Sequence, residues 1–524
     1  MVMNIREEIK NSVLKSIKIL DYEGDFLVKV LRPRKSSSGD YSVNVAIEIG
    51  KRENKDAMEI AERIRENIKG KYLERIEIIN PGIINFFVSN EYVLKETKEA
   101  LKKGKMFGRF AKKKGKIQVE FMSVNPTGPL TVGNGREGVF GDVLANVFKR
   151  YGYNVKKTYH INDQKKQIII LGHSVLKDDE AEYAGEYIDK LHKKIKGKDP
   201  YVVGKKAAKI IIQEIIKKTI KRLKIELNEW PLESILYKNK EIDKVISLLR
   251  DEELTYEQEG SEWFMSTALG DERDRVIIKG DGEKTYLLED IAYHRQKFEK
   301  KKFDKVIDIW GADHLGEALG LTAGVDAMLH INKLQIVPLQ FVVIFEEGKT
   351  VRMSKKGGEF IVMDDLLNEL PIDVIRFFFL MELSDIRLNF DLDLAKNKSE
   401  KNPVFYIQHA YAKISSLLRN SKRILRIKKA NNIEFLSNKK EIELMKQVLR
   451  FPEVIEDTAQ DCEVQRIPQY ALNLVNSFYK FYAGCYLLTK DKKIREAQFD
   501  LIVEVRLVLK NTLDLMGISV PEKI

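Results

Sequence analysis

Two short stretches carry residue types suited to handling a polyphosphate. Residues 125–138 read NPTGPLTVGNGREG. The glycines let backbone N–H groups close on a ligand, and the residues beyond them open a helix whose N-terminus favours an anion. Residues 351–358 read VRMSKKGG, with cations at Arg352, Lys355 and Lys356. Taken alone, that composition describes a solvated basic turn better than a phosphate site. Gly133-Asn134-Gly135-Arg136-Glu137-Gly138 also fits G-x-G-x-x-G, but its setting argues against a dinucleotide fold. In such folds the glycine turn follows its strand directly, and an acidic residue ends the second strand. Here the first strand stops near Phe121, and the second runs into Thr158-Tyr159-His160.

The elements that must position these stretches are legible from periodicity. Ile117, Val119 and Phe121 alternate with Gln118 and Glu120, which predicts a strand. After the glycine loop, Val139, Val143 and Val147 recur at every fourth residue, flanked by Phe140, Leu144 and Phe148. That spacing predicts a helix, and Gly152 stands where it should stop. NVKKTYHIND then reads as a second strand, so strand, loop, helix and strand begin a parallel α/β sheet. The Lys-rich helical text from about 170 to 255 reads as an insertion, and strand candidates return at RVIIKG, KVIDIWGADH and QFVVIFEEG. Upstream, IEIINPGIINFFVS predicts two strands around a Pro81-Gly82 turn within a small α+β unit. Downstream of about 393 the chain reads as helical, with Asn402-Pro403 as a helix start.

A chain of 524 residues is too long for one core. Its net charge of +12 fits a polyanionic partner such as nucleic acid, although a Lys-rich bias accounts for it equally well. Cys462 and Cys485 are the only cysteines, too few for a disulfide framework or a zinc cluster, and they suit a reducing cytosol. The start MVMNIREEIK does not read as a signal peptide, and no apolar run approaches the ~20 residues of a membrane span.

A glycine loop after the first strand, together with a late M-S-K loop, resembles a class I aminoacyl-tRNA synthetase. Longer text narrows the resemblance to arginyl-tRNA synthetases. VEFMSVNPTGPLTVGNGREGVFGDVLANVFKRYGY is similar to that family's first strand, signature loop and helix. TYHINDQKKQI, TYLLEDIAYHRQKFE, IWGADHLGEALGL, RMSKKGGEFIVMDDLL and LKNTLDLMGISVPEKI resemble further family segments, in family order. GDYSVNVA and NPGIINFF look like its extra N-terminal domain.

The resemblance implies a multidomain α/β plus all-α architecture. Residues 1–112 would form an α+β tRNA-binding domain. Residues 113–392 would form a Rossmann-like nucleotide-binding catalytic domain, and residues 393–524 a helical anticodon-binding bundle. It implies arginine–tRNA ligation in the cytoplasm by a monomer, with ATP as substrate, Mg²⁺ carried on ATP, and arginine and tRNA(Arg) as partners. It assigns no protein metal site and no membrane. Catalysis would rest on Thr131, Asn134, Arg352 and Lys355. ATP would meet Pro126, Thr127, Gly128, Pro129, Leu130, Val132, Gly133, Gly135, Met353 and Ser354. Glu120, Asn125, Tyr286 and Asp290 would hold arginine, and Asn85 and Gln408 would touch tRNA.

The chain departs from the family at its signature, usually L-H-V-G-H-G-R, which here reads Leu130-Thr131-Val132-Gly133-Asn134-Gly135-Arg136. Both histidines are gone, yet a Thr hydroxyl and an Asn amide are still donors. Bacterial tryptophanyl-tRNA synthetases resemble this T-x-G-N pattern. Further departures at Ile83, Tyr479, Ala483 and Tyr486 fall on positions that face tRNA in the family. Two readings therefore stand at this stage. One is an active ligase working through Thr and Asn. The other is a paralogue that binds tRNA without turnover or activates arginine for another acceptor.

Overall fold

The protein is described by a computed structural model that covers residues 5–22, 24–33, 38–164, 166–351, 361–421, 432–485, 487 and 489–522. Two compact units emerge from it. One gathers residues 1–107 with 413–451 and 473–509, and the other gathers 108–412 with 452–472 and 510–524.

In the first unit, the expected hairpin forms from β2 (Leu73–Ile79) and β3 (Ile83–Val88), and β1 (Tyr41–Val43) joins it on the other side of β3. Gly82 at the turn has φ +115°, and a Cβ there would stand 2.7 Å from the Ala57 carbonyl oxygen, so only glycine fits without movement. The Lys446 ammonium reaches Asp40 Oδ2 at 2.9 Å, tying a helix from the C-terminal part of the chain to this α+β layer.

The second unit is built on a four-stranded parallel sheet. It holds β4 (Lys116–Glu120), β5 (Asn154–Thr158), β9 (Lys305–Gly311) and β10 (Leu334–Leu339), in the order β10-β9-β4-β5. The helix Val132–Arg150 connects β4 to β5, and Gly152 follows it at φ +107°. Its Val139, Val143 and Val147 are fully buried, as the spacing of four requires. The inserted stretch is helical through Asp251 and then adds something the sequence did not suggest. The strand candidate RVIIKG does form a strand, Arg275–Ile278, which is β8 of a small antiparallel sheet with β6 (Thr255–Gln258) and β7 (Ser261–Phe264). QFVVIFEEG likewise supplies β11 (Val342–Glu346), which pairs with β12 (Lys349–Thr350) and β13 (Leu388–Asp391) in a sheet of its own. The helix starting at Pro403 is capped by the Asn402 carboxamide oxygen, which accepts from the Val404 N–H at 3.0 Å.

Candidate active site

In a parallel α/β sheet, ligands sit beyond the carboxyl ends of the strands. β4 ends in Glu120, and its register partner on β9 is Asp308. The helix Tyr286–Glu299 brings the remaining groups to them. Leu288, Ile291, Ala292 and Phe298 anchor it in a core shared with Val306, Leu321 and Val325. Tyr293, His294 and Lys297 are left on the stripe that faces the sheet.

The resulting cluster is dense and dry. Lys297 is 1% exposed, and its ammonium lies 3.2 Å from Glu120 Oε2 and 3.2 Å from each Asp308 oxygen. His294 Nε2 stands 2.7 Å from Asp308 Oδ2, and Nδ1 stands 2.7 Å from the Asp290 carbonyl oxygen. The Tyr293 hydroxyl donates to Glu120 Oε2 at 2.7 Å, and the Ser123 hydroxyl donates to Glu120 Oε1 at 3.3 Å. His160 stacks on the Tyr293 ring with centroids 4.0 Å apart. Burial, opposed by the Lys297 ammonium but reinforced by Asp308, raises the Glu120 carboxyl above the ordinary carboxylate range. Burial pushes Asp308 the same way, but Lys297 and His294 outweigh it and hold Asp308 at about 2. Of two adjacent carboxylates, Asp308 keeps its charge. Glu120 is the one poised to gain its charge fully when a cation arrives.

The second half of the site is the glycine loop. Met122, directly after Phe121, sits in the left-handed region at φ +58° and is fully buried, so the chain leaves β4 through a strained turn. Thr131 then caps the Val132–Arg150 helix. Its Oγ1 accepts from the Asn134 N–H at 3.2 Å, and its N–H and hydroxyl both donate to Asn134 Oδ1, at 3.0 and 2.8 Å. This reciprocal box satisfies donors at the helix start. In this arrangement the Thr131 hydroxyl proton is directed to Asn134 Oδ1. Gly133 is the second residue of the helix, where a backbone N–H has no intrahelical acceptor.

Several residues expected at ATP pack into the protein instead. Leu130 is fully buried, and its carbonyl accepts from the Met363 N–H at 2.8 Å. The Val132 side chain is buried, and its N–H donates to the Ile361 carbonyl at 3.0 Å. A Cβ on Gly135 would stand 2.2 Å from Met363 Sδ, which makes that glycine a packing requirement. Pro126 is buried, whereas Thr127, Gly128 and Pro129 are partly exposed, with the Thr127 carbonyl accepting from the Tyr187 hydroxyl at 3.1 Å. Arg352, Met353, Ser354 and Lys355 lie outside the described residues.

Asn125 and Tyr286 are exposed, Tyr286 at 52%, and Asp290 is partly buried one helical turn further on. The two residues expected at tRNA are occupied or covered. Asn85 is 2% exposed on the central strand β3, and the Gln408 amide donates to Asp373 Oδ2 and to the Ser519 carbonyl, both at 3.1 Å. Arg136, the last residue of the signature, is buried. It donates to the carbonyls of Gln340, Leu383 and Ile386, so it ties the loop helix to neighbouring segments.

The sequence reading passed over His160, Tyr293, His294, Lys297 and Asp308. Their signal was present as polar residues within the apolar helix text DIAYHRQKF and within the strand text VIDIW.

Comparison with known proteins agrees with this layout along the whole chain. Residues 3–88 match the model of the arginyl tRNA synthetase N terminal domain. Residues 96–186 and 174–373 match the class I (R) tRNA synthetase catalytic domain, and residues 407–524 match the DALR anticodon binding domain. The arginine--tRNA ligase of Caldanaerobacter subterraneus subsp. tengcongensis is 36% identical over 558 aligned positions, spanning 100% of this chain and 99% of the relative. The chain belongs to the arginyl-tRNA synthetase family. The arginine--tRNA ligase of Bacillus subtilis is 35% identical, across 99% of this chain and 98% of its own length. Thermus thermophilus arginyl-tRNA synthetase superposes with a TM-score of 0.80 at 19% identity, covering 99% of this chain and 100% of that one. The Plasmodium falciparum arginyl-tRNA synthetase does so at 0.78 and 20% identity, covering 99% of each chain. At those identities the likeness establishes the arginyl-tRNA synthetase fold. Among the described residues no helix is long and apolar enough to cross a membrane.

Proposed function

We propose that this class I arginine--tRNA ligase performs both steps of its reaction beyond the carboxyl ends of β4 and β9. The observation that carries this reading is the Glu120–Asp308 carboxylate pair beside an anion-seeking helix start. Arginine's guanidinium is recognised by carboxylates that can form paired hydrogen bonds, with Glu120 and Asp290 supplying them and Tyr286 closing one side. Asn125 holds the substrate's polar end.

ATP lies across the start of the Val132–Arg150 helix, met by the Gly133 N–H and by the loop 126–129. Arginine's carboxylate oxygen attacks the α-phosphorus, the bond from that phosphorus to the bridging oxygen breaks, and pyrophosphate leaves. A ribose hydroxyl at the end of tRNA then attacks the arginyl carbonyl of the adenylate, the mixed-anhydride bond breaks, and AMP leaves. Adenylyl transfer of this kind depends on positioning and charge stabilisation, so donors at the right place suffice without histidine. Lys355 and Arg352 supply positive charge to the departing phosphates. Mg²⁺ arrives on ATP, since that ion favours phosphate oxygens and retained water over a protein cage. The enzyme acts as a cytoplasmic monomer. Asn85 and Gln408 reach tRNA only after giving up the burial and the bonds they now have.

The test is ATP–pyrophosphate exchange with arginine, with and without tRNA, at two salt concentrations. Exchange that needs tRNA and weakens steeply with salt is expected, because basic side chains displace phosphate counterions. Tight tRNA binding with no exchange under any condition would overturn the proposal.

A further inference from the structure

The terminal torsion of a glutamate is soft, so a carboxylate that must meet a planar guanidinium needs its plane fixed by neighbours. Glu120 is fixed at both of its oxygens. The Ser123 hydroxyl donates to Oε1 at 3.3 Å, and the Tyr293 hydroxyl donates to Oε2 at 2.7 Å. Both limbs lead back to one residue, His160, two positions beyond the end of β5. Its backbone N–H donates to the Ser123 hydroxyl oxygen at 2.9 Å. Its imidazole lies flat on the Tyr293 ring, with centroids 4.0 Å apart and planes 15° apart. The Lys297 ammonium stands 4.4 Å from the same ring centre, so the phenol is located through its π-face as well as its hydroxyl. Tyr293 is buried, and burial together with the Glu120 carboxylate keeps its phenol protonated and therefore a donor. A phenylalanine would fill the same space, so what the hydroxyl adds is the bond to Glu120.

We propose that His160 is a positioning residue for arginine, holding the plane of the Glu120 carboxylate through the Tyr293 phenol in the orientation that accepts a guanidinium. The inference rests on the reading that Glu120 lies in the arginine site. His160 touches no reacting atom in this role. Its ring sets where the phenol sits, and the phenol sets Glu120 Oε2. Tyr293 belongs to the helix Tyr286–Glu299, which also carries Tyr286 and Asp290, so the stack registers that helix against β4 at the level of the carboxylate. A guanidinium binds through a rigid fork of N–H donors and loses bonds when the acceptor plane turns, whereas a point charge does not. A carboxylate already held in place also spares the substrate the cost of ordering it. Loss of the imidazole therefore weakens arginine and leaves the nucleotide end of the site as it was.

The experiment measures the arginine KM, the ATP KM and kcat in tRNA-dependent pyrophosphate exchange, at equal folded fraction. The variants are His160→Ala, His160→Phe, Tyr293→Phe, and His160→Ala combined with Tyr293→Phe. His160→Ala and Tyr293→Phe should each raise the arginine KM roughly tenfold, the order expected when a charged acceptor loses one hydrogen bond, with the ATP KM and kcat near the parent's. His160→Phe keeps a flat ring on Tyr293 and should restore the parent's arginine KM. The combined variant should be no worse than Tyr293→Phe alone, because the imidazole acts through the phenol. Effects that multiply in the combined variant would overturn the proposal, as would an arginine KM unmoved by His160→Ala or an ATP KM that rises in step with it. Glu120→Gln, measured alongside, keeps the two readings apart. An arginine KM raised by Glu120→Gln but not by His160→Ala defeats the positioning role alone. An arginine KM indifferent to Glu120→Gln removes Glu120 from the arginine site, and the proposal falls with it.

Discussion

Methionine at position 297 would keep most of the side-chain volume and delete only the ammonium, so Lys297→Met isolates what that charge does. The ammonium lies 3.2 Å from Glu120 and 3.2 Å from both oxygens of Asp308, in a site where all three side chains are buried. Removing one partner of a buried ion pair costs on the order of 3–5 kcal/mol, because the other charge stays behind unpaired. Here two carboxylates stay behind on neighbouring strands, and they can relieve part of the cost by taking up a proton. In the parent, Asp308 is depressed to about 2. Its stabilising contribution is thus fully present above the unfolded pKa and is lost only as pH falls toward that value. In the variant the sign reverses. A carboxyl whose folded pKa lies above its unfolded value loses stability as pH rises, by about 1.4 kcal/mol per pH unit until the folded pKa is passed. Denaturant unfolding followed by circular dichroism, for the parent and Lys297→Met at pH 5 and pH 8, reads this directly. The deficit should be large at pH 8 and clearly smaller at pH 5, and Asp308→Asn added to Lys297→Met should recover much of it at pH 8. A deficit equal at both pH values, or no recovery in the double variant, would refute the charge argument and leave Lys297 as packing alone.

Two further outcomes follow from the same geometry. Arginine KM in the exchange assay should rise as the solution is made acidic, because the raised Glu120 carboxyl must ionise to meet a guanidinium. Glu120→Gln should raise that KM and flatten its acid limb, whereas an unchanged limb would remove Glu120 from the arginine site. Arg376→Met should cost on the order of 1–3 kcal/mol of stability, because the Leu223 and Met516 carbonyls lose their donors while Asp142 keeps the Lys157 ammonium at 2.6 Å, and should change neither substrate's KM in whatever folded enzyme remains. A shift in KM measured at equal folded fraction would show that the tie is not merely structural.

Much of the frame was legible because period and punctuation are local. Ile117, Val119 and Phe121 had to share one face of a strand, and Val139, Val143 and Val147 one face of a helix ending before Gly152. The strand β10 was harder to see, since Pro338 interrupts LQIVPL. The structure resolves that by placing β10 at the sheet's edge, where a missing N–H costs least. RVIIKG read as a strand candidate, but four apolar-rich residues carry no direction and so name no sheet. Pairing of Trp263 with Val276 places it in the antiparallel one. The buried cluster was illegible for a different reason. Spacing shows that Asp290, Tyr293, His294 and Lys297 are helix neighbours, but the same letters suit a solvated face equally well. Only the core residues Leu288, Ile291 and Phe298, once packed, force that stripe onto Glu120 and Asp308.

A pocket for a cation that already contains a buried lysine needs a physical reason, and charge balance supplies one. Without Lys297, the site would bury Glu120 beside Asp308 with His294 as the remaining counter-charge among the described residues, and folding would bear the cost. With Lys297 in place, Asp308 is neutralised permanently, and Glu120 Oε2 is held by the lysine and by Tyr293. Its other oxygen is met by Ser123 at the longer distance of 3.3 Å. In the proposed arginine site, a substrate guanidinium would favour the ionised form of a Glu120 carboxyl that burial holds above the ordinary carboxylate range.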